Sequence, residues 1–512
     1  MSAETLLLTI LLLPLAGAAG IIIARNHPDV REAVTLLTST LIAVFVVMLA
    51  TRFMDGELFA LTLIEPLPGI AIAFEIEALG MLFALVAGLL WVVTSIYSIG
   101  YMRGHNEQNQ TRFYAAFAVS IAATMGIAFS ANLFTLFLFY ELLTLSTYPL
   151  VTHADTPEAK RGGRVYLGIL LGTSIGLFLL GILVTWSLTG SVDFEAGGIL
   201  SGHIDPAWAG LLYALFLFGI GKAAVMPFHR WLPAAMVAPT PVSALLHAVA
   251  VVKAGVFGII RIVCHIYGIE MMEVLGLGLV LAAIAAFTIM VANFYAIGQN
   301  NLKRLLAYST INQLSFIILG VALLSPMAVT GAMLHIPFHG FMKITLFLCA
   351  GAIAAITGIK TISEMAGLGR VMPITLGAFL IGAFGMAGAP PLAGFISKWH
   401  VALGAVESGH LFFLLIIFAG SILDVIYFFP VIRTAFFGKV PQAETYETDL
   451  EEKVEVYTEK KRVIENRQTL YLFMIVPLAI TAIFSIVLCI FPNAFNIYDL
   501  AQTAVKNTFG GM

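Results

Sequence analysis

The sequence predicts an all-α protein that crosses a membrane many times. Of its 512 residues, 60% are hydrophobic and only 11% are charged, and the mean hydropathy is +0.98. Soluble globular chains are closer to half apolar and a quarter charged. Apolar stretches long enough to span a bilayer, about 20 residues each, follow one another from Thr5 to Phe491. Counting soluble domains by chain length therefore does not apply here.

Hydropathy, interrupted by Gly, Pro and charged residues, predicts fourteen transmembrane helices. Between the second and the third, the segment from Glu57 to Glu75 alternates in polarity and contains Pro66 and Pro68, which indicates a small exposed β-hairpin. No basic segment precedes the first helix, so we expect it to be retained rather than cleaved as a signal peptide. The helix cores are expected near residues 5–24, 33–51, 78–101, 112–129, 132–151, 163–188, 208–237, 241–266, 272–297, 303–324, 328–357, 373–408, 411–437 and 470–491.

The basic residues provide an independent test of this topology, because Lys and Arg collect in cytoplasmic loops. Loops after odd-numbered helices hold 19 of the 26 basic residues, and four lysines lie inside helices. Loops after even-numbered helices, with the C-terminal tail, hold the other three, which are Arg52, Arg261 and Lys506. We therefore expect a plasma-membrane protein with both termini outside and a charged cytoplasmic loop from Lys439 to Arg467.

Six charged residues fall inside the predicted helices, where an ionised side chain near the bilayer centre costs at least about 2.5–3.5 kcal/mol. A lysine near a helix end needs no functional role, because its long side chain can extend the amine to the membrane interface. Glu141, Lys222 and Lys253 lie near the middle of their helices, beyond easy reach of either interface. We interpret these three as functional.

The seventh and twelfth predicted helices contain internal prolines, which remove a backbone donor and break the helix. Irregular backbone at membrane depth is tolerated only where it is packed in protein or lines a water cavity. Lys222 lies five residues before Pro227, and Lys398 lies seven residues after the pair Pro390 and Pro391. A broken helix that carries a lysine, repeated five helices later, is typical of inverted-repeat transporters.

We expect an N-terminal segment (1–111), a first repeat of helices four to eight (112–266), a second repeat of helices nine to thirteen (267–437), a charged loop (438–469) and a last helix with its tail (470–512).

Histidines add a second kind of relay group, because the unperturbed pKa of His is the nearest to neutrality. His335, His339 and Lys343 recur at i, i+4 and i+8 on the eleventh helix and should share one face. His247 lies on the eighth helix with one of the buried lysines. A lone buried His is usually structural, but three titratable groups on one face favour a role in a pathway. For Lys343 and Asp424, a role in the pathway has an equal alternative: either residue could instead belong to a structural ion pair or face a subunit interface.

Four stretches of sequence carry a family resemblance. The longest, GKAAVMPFHRWLPAAMVAPTPVSALLH, runs from Gly221 to His247 and is followed by AVAVVKAG. The others are LKRLLAYSTINQ at 302–313, HIPFHGFMK at 335–343 and PPLAGFISK at 390–398. This pattern closely resembles the antiporter-like subunits shared by Mrp-type cation/proton antiporters, respiratory complex I and membrane-bound hydrogenases. The matches extend over more than half of the chain.

The resemblance implies roles for several of the buried charges. Glu141 and Lys222 match the family's coupled glutamate and lysine, Lys253 matches its central connecting lysine, and Lys398 matches the terminal lysine of the second half-channel. The family core also has fourteen helices. A lysine at 398 and a short tail without a lateral helix are most similar to the D-type Mrp subunit or its hydrogenase equivalent. Asp424 departs from the family pattern, where an uncharged polar residue is expected, and could alter the exit path or the coupled ion.

Buried lysines are suited to carrying protons, because burial and a nearby carboxylate have opposite effects on proton affinity. Contact with Glu141 would then switch Lys222 between holding and releasing a proton. Waters are expected between the groups of the relay. The expected relay runs from Lys222 through Lys253, His247 and His339 to Lys398.

Three function classes remain open at this point. The chain is expected to be the proton-translocating subunit of a multi-subunit Na⁺/H⁺ antiporter, or the same part of a redox-driven complex such as a complex I-like dehydrogenase or a hydrogenase. A stand-alone channel or scaffold is the third class. The sequence contains no P-loop, dinucleotide fingerprint or cysteine cluster, so no cofactor or metal is expected and any electron transfer belongs to partner chains. The expected partners are other membrane subunits, the lipid bilayer, protons and Na⁺, and the net charge of -3 does not indicate a nucleic acid.

Overall fold

The computed structural model describes residues 2–438 and 468–510, without the side chains of residues 246, 247 and 468–470. The predicted charged loop from Lys439 to Arg467 lies outside this part of the chain. The described residues are almost entirely helical. The main helices are α1 (Ala3–Ile23), α2 (Pro28–Met54), α3 (Ala78–Gly104), α4 (Gln110–Ala128), α5 (Leu133–Val151), α6 (Pro157–Thr189), α7 (Pro206–Gly219), α8 (Thr240–Tyr267), α9 (Leu277–Ile297), α10 (Leu302–Ala322), α11 (Pro326–Thr357), α12 (Pro373–Ala387), α13 (Ala393–Glu407), α14 (Leu411–Phe437), α15 (Gln468–Ile490) and α16 (Ile497–Phe509).

Twelve helices within the described ranges are long and apolar enough to cross a membrane, which makes the chain a multi-pass helical membrane protein as predicted. Helices α7 and α12 are apolar but shorter. They begin the two segments where the sequence predicts the broken seventh and twelfth helices. Both helices are interrupted as predicted: α-helix ends at Gly219 and resumes at Trp231 in the first segment, and it ends at Ala387 and resumes at Ala393 in the second.

The predicted hairpin between α2 and α3 is confirmed. Strands β1 (Ala60–Leu67) and β2 (Ile70–Glu75) pair antiparallel. Strand β1 is mostly exposed, whereas β2 is largely buried because it packs on the start of α5. There the Thr135 hydroxyl accepts a hydrogen bond of 2.9 Å from the Ala73 amide. The hairpin therefore covers one end of the helix bundle.

Two sequence expectations need correction. The count of basic residues places Arg261 in a loop after an even-numbered helix, but it lies in α8 and is only 3% exposed. Its charge is tolerated because Glu77, at the start of α3, forms an ion pair with it. The tail contains a further helix, α16, whose apolar face is buried and whose Tyr498 reaches His400 of α13. At 13 residues, α16 is too short to span a membrane, so hydropathy does not predict it.

Helix starts follow from local sequence. Asn132, Thr156 and Ser325 each place a side-chain oxygen on a free backbone N–H at the start of α5, α6 and α11. In α6 and α11 a proline then occupies the first helical position, where its missing N–H has no cost. Short polar residues before apolar runs thus define the helix ends. These caps fix the depth at which each charged residue of the same helix lies.

The most buried helices are α8 and α10, in which 100% and 94% of the membrane-spanning stretch is buried inside the protein. Helices α6 and α14 lie at the periphery, with 33% enclosed. Helices α3 and α11 are intermediate, with 78% enclosed, and both pack against α8. The buried charges of α8 and α11 therefore face protein rather than lipid, which is the environment that such charges require.

The break after α7 brings α8 into close contact with the backbone around Lys222. A short 3₁₀ turn, Gly221–Ala223, follows α7, and the Trp231 indole donates a hydrogen bond of 2.9 Å to the Gly221 carbonyl. Gly255 of α8 lies against this turn, and a Cβ atom there would overlap the backbone of Lys222 and Ala223. Close packing of helix on turn is thus possible only with glycine at this position.

The break between α12 and α13 is packed in a similar way. Helix α12 ends at Gly388, which has a φ of 86°. Helix α13 then returns against α12, and a Cβ at Gly394 would overlap the Gly385 carbonyl oxygen. Lys398 follows in the first half of α13, with its side chain against Gly388. Both breaks therefore place a lysine beside tightly packed backbone in the protein interior.

Gly255→Ala should destabilise the protein, because the added methyl group meets backbone atoms that cannot move independently. Overpacking of this kind typically costs about 1–3 kcal/mol. Gly172→Ala is the matched control, since a Cβ at Gly172 in α6 meets nothing within 4 Å. Thermal unfolding of the purified variants in detergent measures the difference. Equal melting temperatures for the two variants would contradict the packing described for the first break.

Candidate functional site

Lys222 is fully buried and is held by α5 rather than by a carboxylate. Its Nζ atom donates hydrogen bonds of 2.6 Å to the Tyr140 carbonyl and 2.7 Å to the Thr144 hydroxyl. The ammonium group also lies 3.1 Å from the centre of the Tyr140 ring, a cation–π contact. We call Lys222, Tyr140, Thr144 and Glu141 the first lysine cluster.

Glu141 follows Tyr140 on α5, close enough to Lys222 to interact electrostatically. Both carboxylate oxygens are buried, and neither receives a hydrogen bond from the part of the chain that the structure describes. The Ser174 hydroxyl is nearby, but it donates to the backbone of α6 instead. The predicted glutamate–lysine pair is thus brought together without a direct bond. The structure contains the arrangement in which Lys222 is not in contact with the carboxylate.

Lys253, at the centre of the bundle, has a fully buried Nζ atom without a hydrogen-bond partner among the described residues. The two ring nitrogens of His339 on α11 also lack partners. Lys253 and Lys343 both lie within electrostatic range of this histidine. The side chain of His247 lies outside the described residues. The centre of the predicted relay is therefore a buried group of titratable side chains with unfilled hydrogen-bonding capacity.

His335 is placed differently, although it shares a face of α11 with His339 as predicted, with ring centres 5.8 Å apart. Its Nδ1 atom is 2.8 Å from the Ser397 hydroxyl and its Nε2 atom is 3.0 Å from the Gln313 amide oxygen. Both ring nitrogens are thus occupied. His335 connects α11 to α10 and α13, whereas His339 does not.

Asp424 on α14 is fully buried and completely satisfied. Lys398 Nζ lies 2.8 Å from Oδ2 and forms an ion pair. Gln313 Nε2 donates to the same oxygen at 2.8 Å, and Oδ1 accepts from Asn312 Nδ2 at 2.7 Å and from Tyr427 Oη at 2.6 Å. Four donors on three helices hold this carboxylate. We call these five residues the second lysine cluster.

Lys343 on α11 joins the second lysine cluster through a hydroxyl. Its Nζ atom donates a hydrogen bond of 2.7 Å to Ser309 Oγ of α10, and Ser309 Oγ is 2.8 Å from Tyr427 Oη. Of the alternatives expected for Lys343 and Asp424, a buried ion pair is formed by Asp424, with Lys398, whereas Lys343 forms none with the residues that the structure describes. The prolines expected at the helix breaks, Pro227, Pro390 and Pro391, lie in the two interruptions and contact none of these charges through polar atoms.

Sequence reasoning did not assign the partners of the buried charges. Ser309, Asn312 and Gln313 lie at i, i+3 and i+4 on α10, and Tyr427 lies one turn after Asp424 on α14. Polar residues with helical spacing in an apolar segment indicate a polar face, so this signal was available. The contribution of Tyr140 through its backbone carbonyl had no signal, because every residue has a carbonyl.

A separate buried ion pair lies near the C-terminal end of α8, where Arg261 contacts Glu77 and stacks on Phe194 at 4.5 Å. Burial alone would raise the pKa of Glu77, but Arg261 together with His265 lowers it to about 2. The carboxylate therefore stays ionised throughout the physiological pH range and does not exchange protons there. We assign this pair to holding α3 against α8 rather than to the relay.

No group of three or more potential metal-ligating side chains occurs among the described residues. The polar atoms of the two lysine clusters are amines, hydroxyls, amides and single carboxylates. This set is suited to hydrogen bonding and to moving protons between neighbours.

Comparison with known proteins identifies the family. Residues 130–424, more than half of the chain, match the family described as NADH:quinone oxidoreductase/Mrp antiporter, TM. NADH-quinone oxidoreductase subunit N of Desulforudis audaxviator (strain MP104C) is 31% identical over 447 residues, covering 85% of this chain and 87% of that protein. A Na⁺/H⁺ antiporter subunit of Bacillus subtilis (strain 168) is 30% identical over 81% of this chain, but the match spans only 52% of that longer protein.

Among solved structures, a chain of the Mrp complex from Dietzia sp. DQ12-45-1b has the same fold, with a TM-score of 0.85 over 100% of this chain and 98% of that one, at 22% identity. The family resemblance inferred from the four motifs is therefore confirmed. The chain belongs to the NADH:quinone oxidoreductase/Mrp antiporter family of membrane proteins.

Proposed function

We propose that this chain is the proton-translocating subunit of a multi-subunit Na⁺/H⁺ antiporter, working with other membrane subunits. The observation that carries the proposal is the set of four lysines buried in the bundle. Lys253 and Lys343 lie within α8 and α11, and Lys222 and Lys398 lie beside the two helix breaks. Each lies beside a group that can accept a proton or hold a charge. Buried charges of this cost are retained in membrane proteins mainly where ions move.

The division into two inverted repeats belongs to this proposal. Lys222 and Lys398 each follow an interrupted apolar helix, and the interrupted segments would bring the number of crossings to fourteen. Helices α4–α8 and α9–α14 would then form the repeats. Protons would move along the lysines and the histidines of α11, with His247 as a further group of this relay.

A second candidate is a proton-pumping subunit of a redox-driven complex. It is favoured by the similarity over nearly the full length of the NADH-quinone oxidoreductase subunit N. Electron carriers would then belong to partner chains. Mass analysis of the purified complex discriminates between the two, because an antiporter contains only membrane transport subunits whereas a redox complex contains iron–sulfur or nickel subunits.

The proposal predicts that Lys222→Arg assembles but loses proton flux. Arginine keeps the positive charge but cannot release a proton in a protein. Proton flux in inverted vesicles, normalised to assembled complex, should fall nearly as far as in Lys222→Ala. Lys398→Arg should also lose proton flux, and it can keep the ion pair with Asp424. It therefore provides the same test if Lys222→Arg does not assemble. Lys360→Arg, at an exposed position, is the control and should keep full flux. Normal flux in both buried variants would refute proton carriage by these lysines.

The proposed orientation places both termini outside the plasma membrane and residues 438–469 in the cytoplasm. Its support is the clustering of Arg31, Arg103 and Arg112 at one end of the bundle, where they bond Gln110, Glu32 and the His153 carbonyl. Cytoplasmic ends of helices are enriched in such residues.

A cysteine at Glu451 should react with an impermeant maleimide only after permeabilisation, whereas one at exposed Glu65 in the hairpin should react in intact cells. Cys489 is first replaced by serine, since Cys264 and Cys349 are buried. Labelling of Glu451→Cys in intact cells would reverse the topology.

A further inference from the structure

We infer that the hydroxyl groups of Ser309 and Tyr427 carry the proton between Lys343 and Asp424. The second half of the proton relay would then run through hydroxyls of α10 and α14 rather than through the histidines of α11. This inference rests on the proposed function and adds to it the route by which a proton reaches Lys398.

The groups form one unbroken chain of hydrogen bonds. Lys343 Nζ is 2.7 Å from Ser309 Oγ, which is 2.8 Å from Tyr427 Oη, which is 2.6 Å from Asp424 Oδ1. The other oxygen of Asp424 is 2.8 Å from Lys398 Nζ. Every separation lies within ordinary hydrogen-bond length. Two buried lysines are therefore connected by contacts of hydrogen-bond length, and the Asp424 carboxyl group, which meets Tyr427 with one oxygen and Lys398 with the other, is the one group that must turn.

The protons of this chain have a defined order. The Lys343 ammonium can only donate, and an ionised Asp424 carboxylate can only accept. Tyr427 has one hydroxyl proton, which the carboxylate takes as the stronger acceptor. Tyr427 Oη can donate its one proton either to Ser309 Oγ at 2.8 Å or to Asp424 Oδ1 at 2.6 Å. When the carboxylate takes it, Ser309 donates to Tyr427 and accepts from Lys343. All donors in the chain are on the Lys343 side, so it is already arranged to pass a proton toward Asp424.

The transfer balances without any further reactant. An N–H bond of Lys343 breaks as an O–H bond forms at Ser309, the former Ser309 proton passes to Tyr427, and the former Tyr427 proton passes to Asp424. Lys343 ends as a neutral amine and Asp424 as a carboxylic acid. Lys398 thereby loses the opposite charge that holds its ammonium group. The proton arrives on Oδ1, whereas Lys398 contacts Oδ2. Once Lys398 has released its proton outward, a half-turn of the Asp424 carboxyl group about its Cβ–Cγ bond brings the protonated oxygen to the amine, which takes the proton.

The histidines of α11 do not provide an equivalent path. His335 reaches Asp424 only through Gln313, whose amide oxygen contacts the ring and whose amide nitrogen contacts the carboxylate. An amide nitrogen donates but does not accept, so the amide interrupts a proton chain. His335 is therefore a positioning residue for Gln313 and Ser397. His339 has no hydrogen-bond partner among the described residues.

Burial prevents water from replacing the hydroxyls. Ser309 is fully buried and Tyr427 is 2% exposed, and the aromatic ring of Phe428 packs beside Tyr427 with ring centres 4.6 Å apart. Removing one hydroxyl therefore interrupts the chain while leaving most of the packing unchanged.

The test measures cation-dependent proton flux in vesicles that contain the assembled complex with Tyr427→Phe or Ser309→Ala. Each variant should lose about a hundredfold in flux, the low end of what positioned proton-transfer groups contribute. Tyr213→Phe and Ser315→Ala are matched controls, because their hydroxyls are buried without hydrogen-bond partners among the described residues. Both controls should keep full flux.

A purely structural defect is distinguished by repeating the assay in D₂O. A variant that must move its proton over a longer gap should show a larger ratio of flux in H₂O to flux in D₂O than the parent, whereas a packing defect lowers both alike. Full flux in Tyr427→Phe and Ser309→Ala while Lys222→Arg is inactive would overturn the hydroxyl route and leave the proposed function standing. Absence of proton flux in the unmodified complex would overturn both.

Discussion

The interior of this protein is organised by the cost of placing an ionised lysine in a medium where water is scarce. Such a group persists only if it finds acceptors or an opposite charge. The two lysine clusters satisfy this requirement in different ways. In the first, the Tyr140 carbonyl and the Thr144 hydroxyl hold Lys222, and the Tyr140 ring adds a cation–π contact. In the second, a carboxylate with four donors holds Lys398. The helix breaks serve the same requirement, since they admit close backbone packing around each lysine.

The two solutions have different consequences for proton release. Loss of a proton from Lys222 breaks no ion pair, and the free Glu141 carboxylate stands nearby to restore the charged form. Loss of a proton from Lys398 leaves Asp424 as an unpaired buried charge, and breaking a buried pair in this way costs about 3–5 kcal/mol. Under the proposed function, Asp424 would therefore have to gain a proton before Lys398 released its own, and the chain through Ser309 and Tyr427 would supply it. Asp424 would then control proton release from the second lysine cluster.

Much of this arrangement was predictable from sequence because hydropathy and proline are local signals. They located the helices, the two breaks, the hairpin and the buried lysines. The partners of those lysines were not predictable, because they depend on which turns of distant helices meet. Ser309 and Tyr427 are far apart in the chain and are brought together only by the packing of α10 against α14. Arg261 was misplaced because its partner Glu77 lies on another helix, and α16 was missed because its signal is amphipathic rather than uniformly apolar.

Proton passage between the two lysine clusters, through the middle of the bundle, is best tested at Lys253. The substitution Lys253→Met removes the charge and leaves no neighbour unpaired, since Lys253 Nζ has no hydrogen-bond partner among the described residues. Buried groups are ordinarily satisfied, so replacing this one by an apolar side chain of similar length should not weaken assembly. The measurement is proton flux in inverted vesicles, normalised to assembled complex. We expect normal assembly with flux abolished, and normal flux in the assembled Lys253→Met complex would contradict proton passage through this residue.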